Sequence, residues 1–492
     1  MIPSSMPRVG RMRALPVACA LALALPLSAH AQQASDGGTS ARERKLEQRV
    51  NQLEQELAQI KGMLQAQQQQ AQAQVQATQA AQASAAQAQQ AAAQAASSAQ
   101  VVAAAPVAKP AFSSAPGISV ALHGFIDATA FSQSRSFTYG NGQNAEYPVA
   151  GSKGSLSGVD IRNTRFWLDF SGAKFAGDWV GGGRIEMDFF GGYNGTGAYS
   201  QQQPIPRLRQ AYMDLSNPDT GSTVRIGQQW DLMFPLDNVP VSLAHVAFPL
   251  GFGTGMVGWR FPGVVWMQDL NHGGDGPKWR LDLGAFEGSW SGPNGAINNT
   301  NYLTAGNAGF RPQIEARLHV QDGDWLAFAV AHYSQVNLRG VGDTAEAPVK
   351  AKVKSVGYEV GGGWKPGPWD FKALVYSGRG LGELFGDLSQ FGDIKDTGGY
   401  LQAGYHFTPN WSANAFYGIS KPDRDDVVRW TGNGANGLLR THQSALNVVY
   451  ASGAYELALE WMYGQLESTS SPFTTTKTTD GHQVSVSAMY HF

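Results

Sequence analysis

Five arginines, Arg165, Arg184, Arg207, Arg209 and Arg225, carry the chemistry most readily read from this chain. Arg165 stands opposite Phe166, Leu168 and Phe170, Arg184 opposite Ile185 and Met187, and Arg225 opposite Val224 and Ile226; Arg207 and Arg209 share a face. A spacing of two is the period of an extended strand. A guanidinium stays charged and offers a planar fork of donors matched to a carboxylate. If these segments pair as neighbours about 4.8 Å apart, the five form one basic wall. Beside a water-filled space held between low-dielectric walls, such a wall concentrates anions. Asp169, Glu186 and Asp188 fall on the same faces and supply a competing reading, in which ion pairs brace the wall. Both can hold at once, because a basic wall facing acidic groups creates a transverse field. Arg280, Arg311 and Arg317 share an equivalent parity further on, with Glu315 between two of them, and rank second.

The stretch from Asp231 to Gly255 has Asp231, Asp237 and His245 as its polar candidates, while Phe234, Val239, Val241 and Phe248 would pack it against a wall. It is too apolar for a loop bathed in water, which argues for burial. Gly253-Thr254-Gly255-Met256-Val257-Gly258 matches a dinucleotide-binding string, but that motif needs a strand before it and a helix after it. Here a loop precedes and Trp259-Arg260-Phe261 continues as strand, so the match is one of chance. No His/Glu metal spacing and no nucleophile elbow appears. His123, His319, His332, His406 and His491 are scattered singly and read as wall residues. The sequence implies no catalysis, metal or cofactor.

These residues need strands to hold them. At the end of the chain, Val484, Val486, Ala488, Tyr490 and Phe492 share one face, and Gln483, Ser485, Ser487, Met489 and His491 the other. This is a strand with lipid on one side and a wetter space on the other, ending on an aromatic residue as outer-membrane barrels do. Alternation of this kind predicts sixteen strands, at about 118–131, 159–171, 179–190, 205–216, 222–230, 256–269, 278–290, 309–320, 325–335, 353–366, 368–379, 397–408, 410–420, 440–451, 454–466 and 482–492. Their connections alternate between long and short, the connectivity of a barrel with tight turns at the periplasmic end and long loops outside. Trp279, Trp325, Trp364, Trp369, Trp411, Tyr405 and Tyr417 cluster near predicted strand ends, where aromatic girdles sit. The expected fold is therefore all-β, a 16-stranded antiparallel transmembrane barrel. The weakest strands are 256–269, with Pro262 inside it, and 325–335, which leaves counts of fourteen or eighteen open.

The amino terminus reads as a secretory signal over residues 1–31, with Arg8, Arg11 and Arg13, an apolar run from Ala14 to Leu27 and a small-x-small site at Ala29-His30-Ala31. Cys19, the only cysteine, lies inside it. The mature chain then has neither a disulfide framework nor a thiolate metal site. After a short linker, 32–41, residues 42–64 carry a coiled-coil heptad pattern: Leu46, Val50, Leu53, Leu57, Ile60 and Leu64. Residues 65–105 are an Ala/Gln-rich stalk, helical or disordered. A helix spanning 42–100 would reach roughly 90 Å at about 1.5 Å per residue. The Pro-containing stretch 106–117 is a linker to the barrel of 118–492. The 59 glycines, the 13 Trp, 16 Tyr and 23 Phe and the charged fraction of 15% are unlike an average soluble protein. A net charge of −2 and the lack of a long basic run in the mature chain argue against nucleic acid as a partner.

Five phrases in order carry a resemblance: His123-Gly124-Phe125-Ile126-Asp127, Arg162-Asn163-Thr164-Arg165-Phe166, Ile185-Glu186-Met187-Asp188-Phe189-Phe190, Leu208-Arg209-Gln210-Ala211-Tyr212 and Arg225-Ile226-Gly227-Gln228-Gln229-Trp230. With the preceding coiled coil, the chain resembles the DcaP-like family of trimeric outer-membrane porins. The resemblance implies a homotrimer of sixteen-stranded pores and an inward-folded third loop, which would be the segment after the fifth strand. It also implies a preference for small anionic solutes such as dicarboxylates. The expected function is passive diffusion across the bacterial outer membrane. The surroundings would be outer-membrane lipids and lipopolysaccharide, with the stalk in the periplasm and peptidoglycan as its candidate contact. The alternative is an adhesin or envelope tether, with the barrel as anchor and the coiled coil as the working part.

Overall fold

The computed structural model describes residues 111–115, 117–138, 142–149, 154–191, 204–287, 311–337, 350, 352–382, 388 and 390–492. The signal (1–31), the linker (32–41), the coiled coil (42–64) and the Ala/Gln stalk (65–105) lie outside them. The strands are β1 Ala111–Ala115, β2 Ile118–Gln133, β3 Leu156–Asp160, β4 Arg165–Lys174, β5 Val180–Asp188, β6 Arg207–Asn217, β7 Ser222–Trp230, β8 Arg260–Asp269 and β9 Lys278–Phe286. They continue as β10 Gln313–Asp322, β11 Trp325–Asn337, β12 Lys352–Trp364, β13 Trp369–Arg379, β14 Lys395–His406, β15 Trp411–Pro422, β16 Leu438–Ser452, β17 Tyr455–Thr469 and β18 Thr476–His491.

From β4 onwards each strand pairs antiparallel with the next, and β18 returns to β2 with Gln483 opposite Gln133 and His491 opposite Phe125. The last residue completes the seam: Gly124 N donates to Phe492 O at 3.1 Å and Phe492 N to Gly124 O at 3.0 Å. A Cβ on Gly124 would lie 2.5 Å from the Phe492 ring, so only glycine lets the terminal aromatic seat there. β3 and β4 both pair with β2 and make up one stave, and β1 is a short strand laid on the start of β2. The ring therefore has sixteen staves, as the alternation predicts. A closed ring satisfies its backbone hydrogen bonds internally, which is the condition for crossing hydrocarbon with strands.

The distribution of side chains is inverted relative to a water-soluble protein. Val375, Leu401, Leu446, Leu457, Leu459 and Val486 are exposed on the outside, while Gln402, Asn414, Gln443, Asn447, Glu460 and Gln483 are buried within. Trp279, Trp325, Trp364, Trp369, Tyr405 and Trp411 all stand at the short-turn end, with Trp369 against Tyr405 at 4.7 Å between ring centroids. Tyr417 departs from that girdle: it sits in the middle of β15 and belongs to a second aromatic row with His442 and Tyr463.

Three local departures from the sequence reading have physical causes. The expected strand at 159–171 is broken between Asp160 and Arg165, where the chain turns so that the fully buried Asn163 points inward. β8 begins at Arg260 instead of 256, because Met256 and Val257 belong to the buried end of an inward loop; Pro262 is accommodated opposite Gln228. Residues 111–115, inside the stretch read as a linker, extend as β1.

Candidate functional site

The segment from Asp231 to Trp259, between β7 and β8, is folded into the barrel. Asp231 ties its two ends: Oδ1 accepts from Phe234 N at 2.8 Å and Oδ2 from Trp259 N at 2.9 Å. The inward wall then holds the loop along its length. Glu315 Oε2 accepts from Leu232 N at 2.7 Å, and Gln402 brackets Val241 with its Oε1 and Nε2 at 2.7 and 3.1 Å. Lys372 Nζ donates to Val239 O at 2.7 Å, and Gly251 N donates to Gln443 Oε1 at 2.7 Å. From the near side, Asn163 Nδ2 donates to Ala244 O and its Oδ1 accepts from Ala247 N, both at 3.0 Å. The break between β3 and β4 is thus a socket for the loop. Phe234, Leu243, Leu250 and Met256 fill the remaining space.

The Gly-rich end explains the dinucleotide-like string. Gly253 (φ +66°) has no room for a Cβ beside Glu146, and Gly255 (φ +118°) lies against Gly399 O. These glycines allow the loop to touch the wall and the first loop, which is a packing requirement. Glu146 is buried there with neither carboxylate oxygen bonded, and burial pushes its carboxyl well above the usual range.

Of the three polar candidates in the loop, Asp231 is this clamp. His245 is buried, with Nδ1 at 2.8 Å from Glu460 Oε1, and so pins the loop to β17. Asp237 is the exposed one, 3.9 Å from His319 Nε2.

The five arginines lie together on the inner face of β4 to β7, facing the loop. Four of them are engaged by carboxylates. Arg184 grips Asp169 through Nε and Nη2 at 2.7 and 2.9 Å. Arg207 grips Asp188 at 3.0 and 2.6 Å, and Arg225 grips Asp214 at 2.7 and 2.8 Å. Arg209 bridges Glu186 at 2.6 Å and Asp188 at 2.8 Å. Arg209 is an extra residue in β6, inserted between the pairs Glu186–Gln210 and Met187–Leu208. This bulge turns both Arg209 and Gln210 inward onto Glu186. Asp169, Glu186 and Asp188 are thus all held in ion pairs with these arginines.

Arg165 is different. Its Nη2 reaches Val246 O of the loop at 3.4 Å, its guanidinium lies 5.5 Å from the Phe125 ring centroid, and it has no carboxylate partner among the described residues. Arg260, at the start of β8, is the residue sequence reasoning missed. It is buried, with its guanidinium 4.7 Å from the Trp230 ring and 4.5 Å from the Trp259 ring, and its Nη1 unbonded. Its signal was its place directly after Trp259, obscured by reading 256–259 as strand. Asp214 and Glu460 were also passed over; each is the acidic partner of a residue that was singled out.

The secondary group does not form a second basic wall. Arg280 and Arg317 share Asp282, at 2.8 and 2.9 Å. Arg311 is exposed just before β10. Glu315 holds the loop and lies 3.0 Å from His332 Nδ1.

Between the arginine face and the loop edge Val239–Val246 is a cavity of about 500 Å³, bordered by Arg165, Arg184, Arg209 and Arg225 on one side and by Glu456 and His491 on another. A closed sixteen-stave barrel, narrowed by an inward loop anchored beyond the fifth stave, defines the class: a channel-forming barrel of the bacterial outer membrane. The sequence profile of the Gram-negative porins matches residues 77–425, and the chain belongs to that family. Its fold is that of the outer membrane channel DcaP of Acinetobacter baumannii, with 20% identity, a TM-score of 0.58, and coverage of 77% of this chain and 99% of that one. OmpT of Vibrio cholerae and Salmonella typhi OmpF in complex with daunomycin are more distant, each with 13% identity and a TM-score of 0.47, covering 78% of this chain and all of the other. No curated protein matches the chain by sequence.

Proposed function

We propose that this porin is a passive, anion-preferring channel for small polar solutes, carboxylates above all, and that it works as a homotrimer. The observation that carries this reading is the imbalance on the inner face of β4 to β8. Asp169, Glu186, Asp188 and Asp214 are all spent on Arg184, Arg207, Arg209 and Arg225, whereas Arg165 and Arg260 have no acidic partner among the described residues. The wall is braced and still net positive. In a water-filled constriction between low-dielectric walls, that surplus is screened less than at an open surface.

The paired arginines contribute too. Arg184 and Arg225 hold their carboxylates through Nε and Nη2, and a guanidinium has five N–H donors. Arg184 Nη1 stands 3.8 Å from Glu186 Oε2, which leaves Nη1 of Arg225 as the donor open to a passing solute without breaking the wall's own pairs. A weak site of this kind suits conduction, which needs binding loose enough to leave.

Uptake into protein-loaded liposomes tests the reading. Succinate should enter faster than a diamine of the same length, with an uncharged diol between them. Equal rates for all three would leave a size filter with no charge preference and would refute the proposal.

A further inference from the structure

The cavity between the arginines and the inward loop has a second pole. The carboxylates Asp169, Glu186, Asp188 and Asp214 are all held by arginines. Glu456 is not. It stands on β17, on the far border of the same cavity, and its side chain is 31% exposed. No arginine or lysine lies within ion-pair distance of it among the described residues. Its one charged neighbour is His491, with Nε2 at 3.5 Å from Oε1 and no hydrogen bond between them.

Register explains how this carboxylate comes to face Arg165. Arg165 on β4 is opposite Phe125 on β2, and Phe125 is opposite His491 on β18. Glu456 on β17 is opposite Met489, two residues before His491. These positions run across neighbouring strands, and Arg165, Phe125, His491 and Glu456 all border the cavity. The Arg165 guanidinium lies 5.5 Å from the Phe125 ring centroid, and the rings of Phe125 and His491 are 5.8 Å apart. The cation without a carboxylate and the carboxylate without an arginine are thus separated by the width of two rings.

The surface between them is apolar. Phe125, Leu243 and Met489 belong to one buried cluster, with Trp167 and Val246 packed against it, and each of them borders the cavity. Methylene groups laid along this strip leave water, which is favourable. A second carboxylate at the far end of such a solute would meet Glu456 and be repelled, whereas an ammonium would be attracted.

We propose that Glu456 sets a finer specificity of the pore: it receives the ammonium end of a linear zwitterion, such as an ω-amino acid, whose carboxylate rests on Arg165 and whose apolar middle lies along Phe125 and Met489. This inference rests on the anion-preferring reading of the same constriction, since the carboxylate end needs the arginines.

Uptake into liposomes loaded with the full-length protein tests it with solutes of one length. 5-Aminopentanoate carries both charges, glutaramate keeps the carboxylate but ends in a neutral amide, and glutaramide has no charge. Glutaramate should enter faster than glutaramide, as the anion preference requires. In Glu456→Gln the rate of 5-aminopentanoate relative to glutaramate should fall about fivefold, the order of one partly exposed ion pair, while glutaramate itself enters no more slowly. Glu456→Asp, which keeps the charge on a shorter stem, should recover part of that ratio. If the Gln variant fails to give the heat-modifiable folded band, the Asp variant alone should still lower the ratio, about twofold, and an unchanged ratio there overturns the proposal. A ratio equal in wild type and Glu456→Gln, with glutaramate still ahead of glutaramide, overturns the role of Glu456 and leaves the anion preference standing. Glutaramate no faster than glutaramide removes the arginine end and overturns both.

Discussion

At the scale of single residues, the inner face of β4 to β8 carries ion pairs, buried around Arg209 and half-buried elsewhere, with two cations left over. Breaking a buried pair by removing one partner costs more than the pair contributes, because it strands a charge. Arg209 is 2% exposed and serves both Glu186 and Asp188. Arg209→Ala should therefore destabilise the barrel by about 3 kcal/mol, whereas Arg165→Gln, which strands no carboxylate, should cost about 1 kcal/mol or less. Unfolding midpoints in guanidinium, followed by loss of the heat-modifiable band, compare the two; equal losses would mean that Arg165 is bonded as Arg209 is. Parity in the sequence placed all five arginines on the inner face, since alternation is local. It could not reveal which would be paired, because pairing depends on register, and the bulge at Arg209 changes register in a way that no pattern of two announces. Arg260 escaped for a related reason: the loop end before it is as apolar as a strand.

At the scale of elements, the inward loop is the part that narrows the barrel. Its burial was legible in its composition, from Phe234, Val239, Val241 and Phe248. Its anchors were not, because Asn163, Gln402, Gln443 and Glu460 lie far from it in sequence and look like ordinary wall residues. Glu146 packs the first loop against Gly253 with no hydrogen bond to either oxygen. Its carboxyl is raised by burial, so the folded state keeps the proton that the unfolded chain gives up. The resulting sign is that stability is full below the unfolded carboxylate pKa, near 4.3, and falls as pH rises towards the folded value. Glu146→Gln, neutral at every pH, should flatten that decline. Melting temperatures from pH 4 to pH 9 read it directly. A parallel decline in wild type and variant would show that this carboxyl is not the group responsible.

At the scale of the whole molecule, the sixteen-stave ring was the most legible feature, because lipid on one face and water on the other impose alternation on every strand. Val484 and Val486 against Gln483 and Ser485 already show it, and the exposures follow. The broken second stave was invisible in the same pattern, since Asn163 satisfies a loop that only the closed barrel brings near. Self-association belongs to this scale too. The protein in mild detergent should have a mass near three protomers and convert to a monomer on heating; a monomer at micromolar concentration before heating would contradict the homotrimer.

The central claim is that an arginine surplus, and not merely a narrow bore, sets what passes. Its most direct measurement is the reversal potential of single channels in a planar bilayer under a KCl gradient. Wild type should pass chloride in preference to potassium. Arg165→Gln with Arg260→Gln, which leaves every ion pair in place, should bring the ratio towards unity. Raising the salt towards 1 M, where the Debye length is about 3 Å, should weaken the preference in wild type. A cation preference in wild type, or a ratio unchanged in the double variant, would contradict the account.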